Sequence, residues 1–285
     1  MSLRPRRPGP TVRTRVRELR PDGERRREDR LATEEPMEIR VAWPGAPARR
    51  AWVTMRTPGH DFELAAGWLR HEGVTGGVGT AGTTGATGVA SVAYCTDETL
   101  TPEQDLNVVT VTLDGPPAVD LGHRHGGHAS GSSACGVCGK DSVAAVLDVP
   151  RGERWAGAVP SDDVVRTLPD RLRDHQQVFA RTGGVHAAAA ADADGTLLVV
   201  REDVGRHNAV DKVTGARVLA GEPPAVACLV VSGRAGFELV QKAVAAGTGS
   251  LVAVGAPTSL SVRLAEEAGL VLYGFTSASR CVRYA

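Results

Sequence analysis

Apolar and polar residues alternate over residues 35–41 and again over 51–55, with Pro44-Gly45 between them, which predicts two strands joined by a turn. The period then changes. Phe62, Ala65, Ala66 and Leu69 recur at helical spacing, so Asp61 is expected to cap a helix that Gly73 stops. Residues 107–113 alternate again as a strand. Ser161 can open a long helix through Val164, Val165, Leu168, Leu172 and Val178, with Pro169 as a break or kink and Gly183-Gly184 at its end. The alanine run 186–191 suits a buried strand or a buried helix equally. Residues 196–201 read as a strand, followed by a helix containing Val210, Val213 and Leu219. The last third is the most regular. Strands at 226–231, 251–254 and 270–275 alternate with helices at 236–246 and 259–268, which predicts an α/β fold with a mainly parallel sheet covered by helices.

Three stretches fall outside this pattern. Residues 1–34 carry eleven arginines and almost no apolar run, so a disordered basic leader is expected. Residues 74–89 are mostly Gly, Thr and Ala. Their GxGxxG match at 77–82 carries no weight, because no strand and helix frame it. Residues 115–140 form a loose, Gly- and Ser-rich segment ending in Cys135-Gly136-Val137-Cys138-Gly139-Lys140, expected to be a mobile loop. The organisation expected is therefore a leader (1–34), a smaller N-terminal α+β subdomain (35–114), the loop (115–140) and an α/β domain (141–285).

Composition narrows the class. Hydrophobic residues at 42% and charged residues at 23% are ordinary for a globular chain. Lys+Arg and Asp+Glu both total 33, so global charge argues for neither nucleic acid nor a membrane surface. No apolar run approaches the length of a membrane span, and none follows the arginines as a secretory signal would require. Five cysteines, an odd number with one CxxC pair, suit reduced thiols in the cytoplasm better than a disulfide framework.

The CxxC is the strongest chemical signal. A thiolate is favoured by a nearby cation and by a helix start, which Lys140 and Asp141-Ser142 could supply to Cys135. With His123, His125 and His128 the pair could also assemble four zinc ligands, but these histidines sit in solvated loop rather than rigid knuckles, so no metal site is expected. A zinc deaminase would need H-x-E and P-C-x-x-C; here Ala134 precedes Cys135, and His186 is followed by alanines. A thioredoxin-like protein would carry its CxxC early, directly after a first strand. In an α/β sheet, ligands collect beyond the carboxyl ends of the strands. The residues there are polar and Gly-rich: 202–208, 232–234, 255–259 and 276–280. Arg206 and Arg234 among them could clamp a phosphate, or these could be capping residues that pair with one another. The residues alone leave open a thiol-transfer protein, a holder of a nucleotide-bearing ligand, and a zinc-stabilised fold.

Several separate blocks together resemble the formate dehydrogenase accessory sulfurtransferase family, FdhD. They include Glu35-Pro36-Met37-Glu38-Ile39, Met55-Arg56-Thr57-Pro58-Gly59, Ser133-Ala134-Cys135-Gly136-Val137-Cys138-Gly139-Lys140, Arg201-Glu202-Asp203-Val204-Gly205-Arg206-His207-Asn208, Ser232-Gly233-Arg234 and Gly255-Ala256-Pro257-Thr258-Ser259. The resemblance implies a cytidine-deaminase-like fold with a smaller N-terminal part, a homodimer, and a cytoplasmic sulfurtransferase. It implies that Cys135 accepts persulfide sulfur from a cysteine desulfurase, with Cys138 assisting or resolving. The sulfur's destination would be the bis-molybdopterin guanine dinucleotide molybdenum cofactor of formate dehydrogenase, which a guanine nucleotide would mimic. The family's cofactor-binding segment falls on Phe275, Thr276, Ser277, Ala278, Ser279 and Arg280. Where the family commonly reads Gly-Phe-x-Arg-Gly-x-Arg, this chain has Ser277 and Ala278 in place of the first Arg and the Gly, and keeps Arg280.

Overall fold

The computed structural model describes residues 9–76, 87–96, 100–101, 104, 106–119 and 149–285. The N-terminal sheet has the order β4-β3-β6-β5, built from β3 (Glu35–Trp43), β4 (Ala46–Arg56), β5 (Val89–Tyr94) and β6 (Val108–Leu113). Alternate residues Met37, Ile39, Val41, Val109, Val111 and Leu113 face one side. Leu64, Ala65, Trp68 and Leu69 of α1 (Asp61–His71) cover that side, and Trp52 stacks on Trp68 with ring centroids 5.1 Å apart. Asp61 does not cap α1. His60 takes the cap position in a left-handed conformation, and Asp61 instead receives two bonds from the buried Arg56 guanidinium, at 3.1 and 3.2 Å.

The larger sheet has the order β12-β11-β10-β9-β7-β8. Its strands are β7 (His186–Ala191), β8 (Leu197–Asp203), β9 (Cys228–Val231), β10 (Ser250–Ala253), β11 (Val271–Ser277) and β12 (Arg280–Arg283). The expected parallel arrangement is confined to β9, β10 and β11; the pairings β7–β9, β7–β8 and β11–β12 are antiparallel. The undecided alanine run is therefore a strand. Ala188 and Ala190 face α4 (Arg206–Leu219), α5 (Phe237–Ala246) and α6 (Ser259–Ala268), whereas Ala187, Ala189 and Ala191 face α2 (Asp162–Asp174). A strand buried on both faces loses the alternation that would distinguish it from a helix in the sequence.

The long helix expected after Ser161 is two helices, α2 and α3 (Gln177–Thr182). Pro169 lies inside α2 without ending it. The break comes at His175-Gln176, where the Glu202 carboxylate accepts the Val178 and Phe179 N–H groups, both at 2.8 Å, and starts the second helix afresh.

Residues expected to be a disordered leader form an antiparallel hairpin instead, β1 (Thr11–Arg20) and β2 (Gly23–Ala32). Alternating Val and Thr positions are compatible with a strand even among arginines, and Pro21-Asp22-Gly23 supplies the turn. Cross-strand ion pairs Arg13–Glu28 (3.2 Å) and Arg17–Glu24 (3.7 Å) span it, and β2 packs on α3.

The two sheets are joined by α1 lying on α4. Gly67 and Gly215 let the helix backbones touch. Beside this contact, Arg201 forks onto Glu63 with bonds of 2.5 and 2.8 Å. Burial pushes the Glu63 carboxyl up, but the bonds and charges of Arg201 and His60 outweigh it and hold it at about 2, against an ordinary 4.5. Its stabilising contribution is thus complete above pH 4.5 and lost as the pH falls towards 2. Glu63→Gln is expected to be less stable than wild type at about pH 6, with the gap between the two urea midpoints shrinking as the pH falls from 4.5 towards 2. A gap that stays constant with pH would refute this assignment.

Candidate functional site

The carboxyl ends of β8, β9, β10 and β11 lie along one edge of the large sheet, joined there by the start of the antiparallel β7. The loops leaving this edge are laced by backbone bonds. Gly255 N–H donates to Gly233 O at 2.9 Å, Phe275 N–H to Gly255 O at 3.1 Å, and Ala235 N–H to Ala256 O at 3.1 Å. The polar stretches expected at strand ends therefore form one continuous rim. Gly255 makes this possible, since a Cβ there would stand 3.0 Å from the Arg234 backbone.

Arg206 is the first residue of α4, and its side chain borders Gly233 together with His186. Arg234 follows in the β9–α5 loop. Phe275, Thr276 and Ser277 end β11, Ala278 and Ser279 turn, and Arg280 begins β12 at the far end of the rim. Phe275 is left-handed (φ 50°) and 43% exposed, an uncommon backbone state for an aromatic residue, and the Arg280 guanidinium lies over its ring at 5.3 Å. Thr276 is buried, and its hydroxyl has no partner among the described residues; Ser277 and Ser279 approach each other at 3.5 Å, with Ala278 at the turn. The structure thus brings Arg206, Arg234 and residues 275–280 onto one edge. Cys135, Cys138, Lys140 and the three loop histidines lie outside the described residues. The described chain on either side of them is anchored at one place: Ala118 N–H donates to Val74 O at 3.1 Å, and Pro150 packs against Gly73.

Below the rim opens a cleft of about 590 Å³, lined by Arg173, Phe179, Gly184, His186, Val204 and Ser232. Arg173 stacks on Phe179 at 4.1 Å. Burial, then the Arg206 guanidinium and the neighbouring His207, push the His186 imidazole below its ordinary value. A second cleft of about 430 Å³, around Trp155 and Gly249, lies at the opposite edge, away from these loops.

Sequence reasoning missed what holds the rim. Asp203, fully buried, accepts from Thr57 N–H (3.1 Å), Gly205 N–H (2.8 Å), Asn208 Nδ2 (3.1 Å) and Lys212 Nζ (2.6 Å). Lys212 also donates to Thr57 O at 2.8 Å, and Asn208 to Met55 O at 2.7 Å. The end of β4 is thereby bonded to the start of α4, directly behind Arg206. A signal for this existed: Asn208, Asp211 and Lys212 interrupt the apolar Val210 and Val213 stripe. His207, read as a loop residue, is in α4 and pairs with Glu238 at 2.5 Å. Cys228 of β9 is buried in the core, and burial pushes its thiol up to about 12. Among the described residues no group of three or more His, Cys, Asp or Glu side chains is placed to hold a metal, and no helix is long and apolar enough to cross a membrane.

The fold and rim define an α/β protein with an arginine-bearing edge built from separate strand-end loops. The FdhD/NarQ family model matches residues 32–285, and the chain belongs to that family. It is 46% identical over 267 residues to the "Sulfur carrier protein FdhD" of Nocardia farcinica, covering 93% of this chain and 89% of that protein. It is 45% identical over 273 residues to the protein of the same name from Mycobacterium tuberculosis, covering 93% of each. In three dimensions it is similar to "Crystal structure of a putative formate dehydrogenase accessory protein from Desulfotalea psychrophila", with a TM-score of 0.70 at 19% identity over 96% of this chain and 97% of that one.

Proposed function

We propose that this protein is a sulfur carrier for formate dehydrogenase maturation and that Cys135 carries the sulfur. The observation that carries the reading is kinship over nearly the whole chain with proteins named as sulfur carriers. In the first step the Cys135 thiolate attacks the outer sulfur of a cysteine desulfurase persulfide. The new S–S bond forms on Cys135, and the donor cysteine leaves as a thiolate. In the second step Cys138 attacks the inner sulfur of the Cys135 persulfide. A Cys135–Cys138 disulfide forms and the outer sulfur departs as sulfide, its two electrons supplied by the two thiols. A cellular dithiol then reduces the disulfide for the next turnover.

The recipient is the molybdenum of the bis-molybdopterin guanine dinucleotide, bound as cargo. Its phosphates suit Arg206 and Arg234, which can each offer two parallel N–H donors to an anion. The exposed Phe275 ring, backed by Arg280, suits a flat base. A homodimer would place two such rims, one for each guanine nucleotide, and a cytoplasmic setting would keep both thiols reduced.

Intact mass measured after incubation with a cysteine desulfurase and cysteine tests the carrier step. Wild type is expected to gain about 32 Da, removed by reductant, and Cys135→Ala to gain nothing. An active donor that leaves wild type unchanged would sink persulfide transfer and favour a protein that only holds the cofactor.

A further inference from the structure

The hairpin β1–β2 takes no part in the rim, and the family model begins only at residue 32. Residues directly opposite in an antiparallel pair share a face. The register therefore places Arg13, Arg15 and Arg17 of β1 with Arg26 and Arg30 of β2 on one side of the ribbon. Two features of this side are unfavourable for the hairpin itself. Arg13 stands opposite Arg30, and Arg17 opposite Arg26, and like charges directly opposite destabilise a strand pair. The only carboxylates on that side, Glu24 and Glu28, pair with Arg17 and Arg13. Arg15 stands opposite Glu28, which pairs with Arg13 instead, and Arg15, Arg26 and Arg30 have no carboxylate within 4 Å among the described residues. A charge arrangement that works against its own hairpin points to an outside partner.

We propose that this face docks an extended acidic segment of another protein. Side chains on one face of a strand recur about every 6.8 Å, so carboxylates at alternate positions of an extended segment match the Arg13-Arg15-Arg17 row. Each guanidinium can take a carboxylate through two bonds. Charge on the rest of the chain favours a protein over a nucleic acid. Residues 1–32 hold eleven arginines and five acidic residues, which leaves 22 basic and 28 acidic residues from 33 onward. A polyphosphate running past the hairpin would meet an acidic body, whereas a local acidic segment would not. Residues 11–32 also contain no aromatic side chain on which a base could stack. The inference rests on no step of the sulfur chemistry.

The test uses full-length protein and a fluorescent peptide of alternating glutamate and serine, with binding read by anisotropy. Arg26→Glu/Arg30→Glu is expected to weaken binding by about tenfold or more. These substitutions set Glu opposite Arg17 and Arg13, so a weakened interaction cannot be put down to a broken hairpin. Arg50→Glu/Arg263→Glu makes the same change of charge at two exposed positions elsewhere, and is expected to bind within about twofold of wild type. Equal losses in the two variants, or no binding by wild type, would overturn the proposal. Tighter binding of a DNA duplex or of phosphatidylserine vesicles than of the peptide at the same salt would overturn it in favour of those partners.

Discussion

Gly215→Ala is expected to cost about 3 kcal/mol or more and to lower the urea midpoint accordingly. A Cβ at Gly215 would stand 1.8 Å from the Glu63 carbonyl oxygen and 2.8 Å from the Gly67 nitrogen. Both obstacles are backbone, so no rotamer change relieves the contact. The helices α1 and α4 would have to move apart, loosening at once the Arg201–Glu63 fork and the His71–Asp211 bond of 2.6 Å that flank the crossing. Gly184→Ala is the control. Its Cβ would meet Ala32 at 3.5 Å, an ordinary contact, and a change within about 0.5 kcal/mol is expected. Equal midpoints for Gly215→Ala and wild type would show that the two helices are not held at this distance in solution.

Lys212→Met carries the second large effect. The ammonium is nearly inaccessible and is held by Asp203 at 2.6 Å and by Thr57 O at 2.8 Å. Methionine keeps the volume but leaves a buried carboxylate without its cation, a loss of about 3–5 kcal/mol near pH 7. Burial already pushes the Asp203 carboxyl above its ordinary value, against the pull of Lys212, and removal of the cation raises it further. A group whose folded pKa is raised takes up a proton on folding, so the variant's deficit should shrink as the pH falls from about 7 to about 5. Asp203→Asn/Lys212→Met removes both charges and is expected to recover part of the loss. A deficit below about 1 kcal/mol that does not change with pH would show that the pair is not buried as described.

The sequence made the rim legible and its support illegible for physical reasons. Strand-end loops can be found from local pattern alone, because the ends of β9, β10 and β11 follow from runs such as 226–231 and from the helix caps that come next. The partners of Asp203 cannot be found that way. Thr57 and Lys212 lie far apart in the chain and meet only because α1 carries β4 against α4. The hairpin was obscured by composition: arginines on alternate positions read as a solvated charge run, although Val12, Thr14 and Val16 keep a strand period. β5 and β12 were missed because each is short and borders Gly- or Ser-rich sequence.

The anchoring of Ala118 and Pro150 beside Gly73-Val74 separates two lengths that most folds keep coupled. A connection whose ends already meet imposes almost no span on what lies between them. The number of residues between the body and the cysteine pair is therefore nearly free of the body's own architecture. The segment between residues 119 and 149 could be lengthened or shortened without moving the strands and helices that hold its two ends.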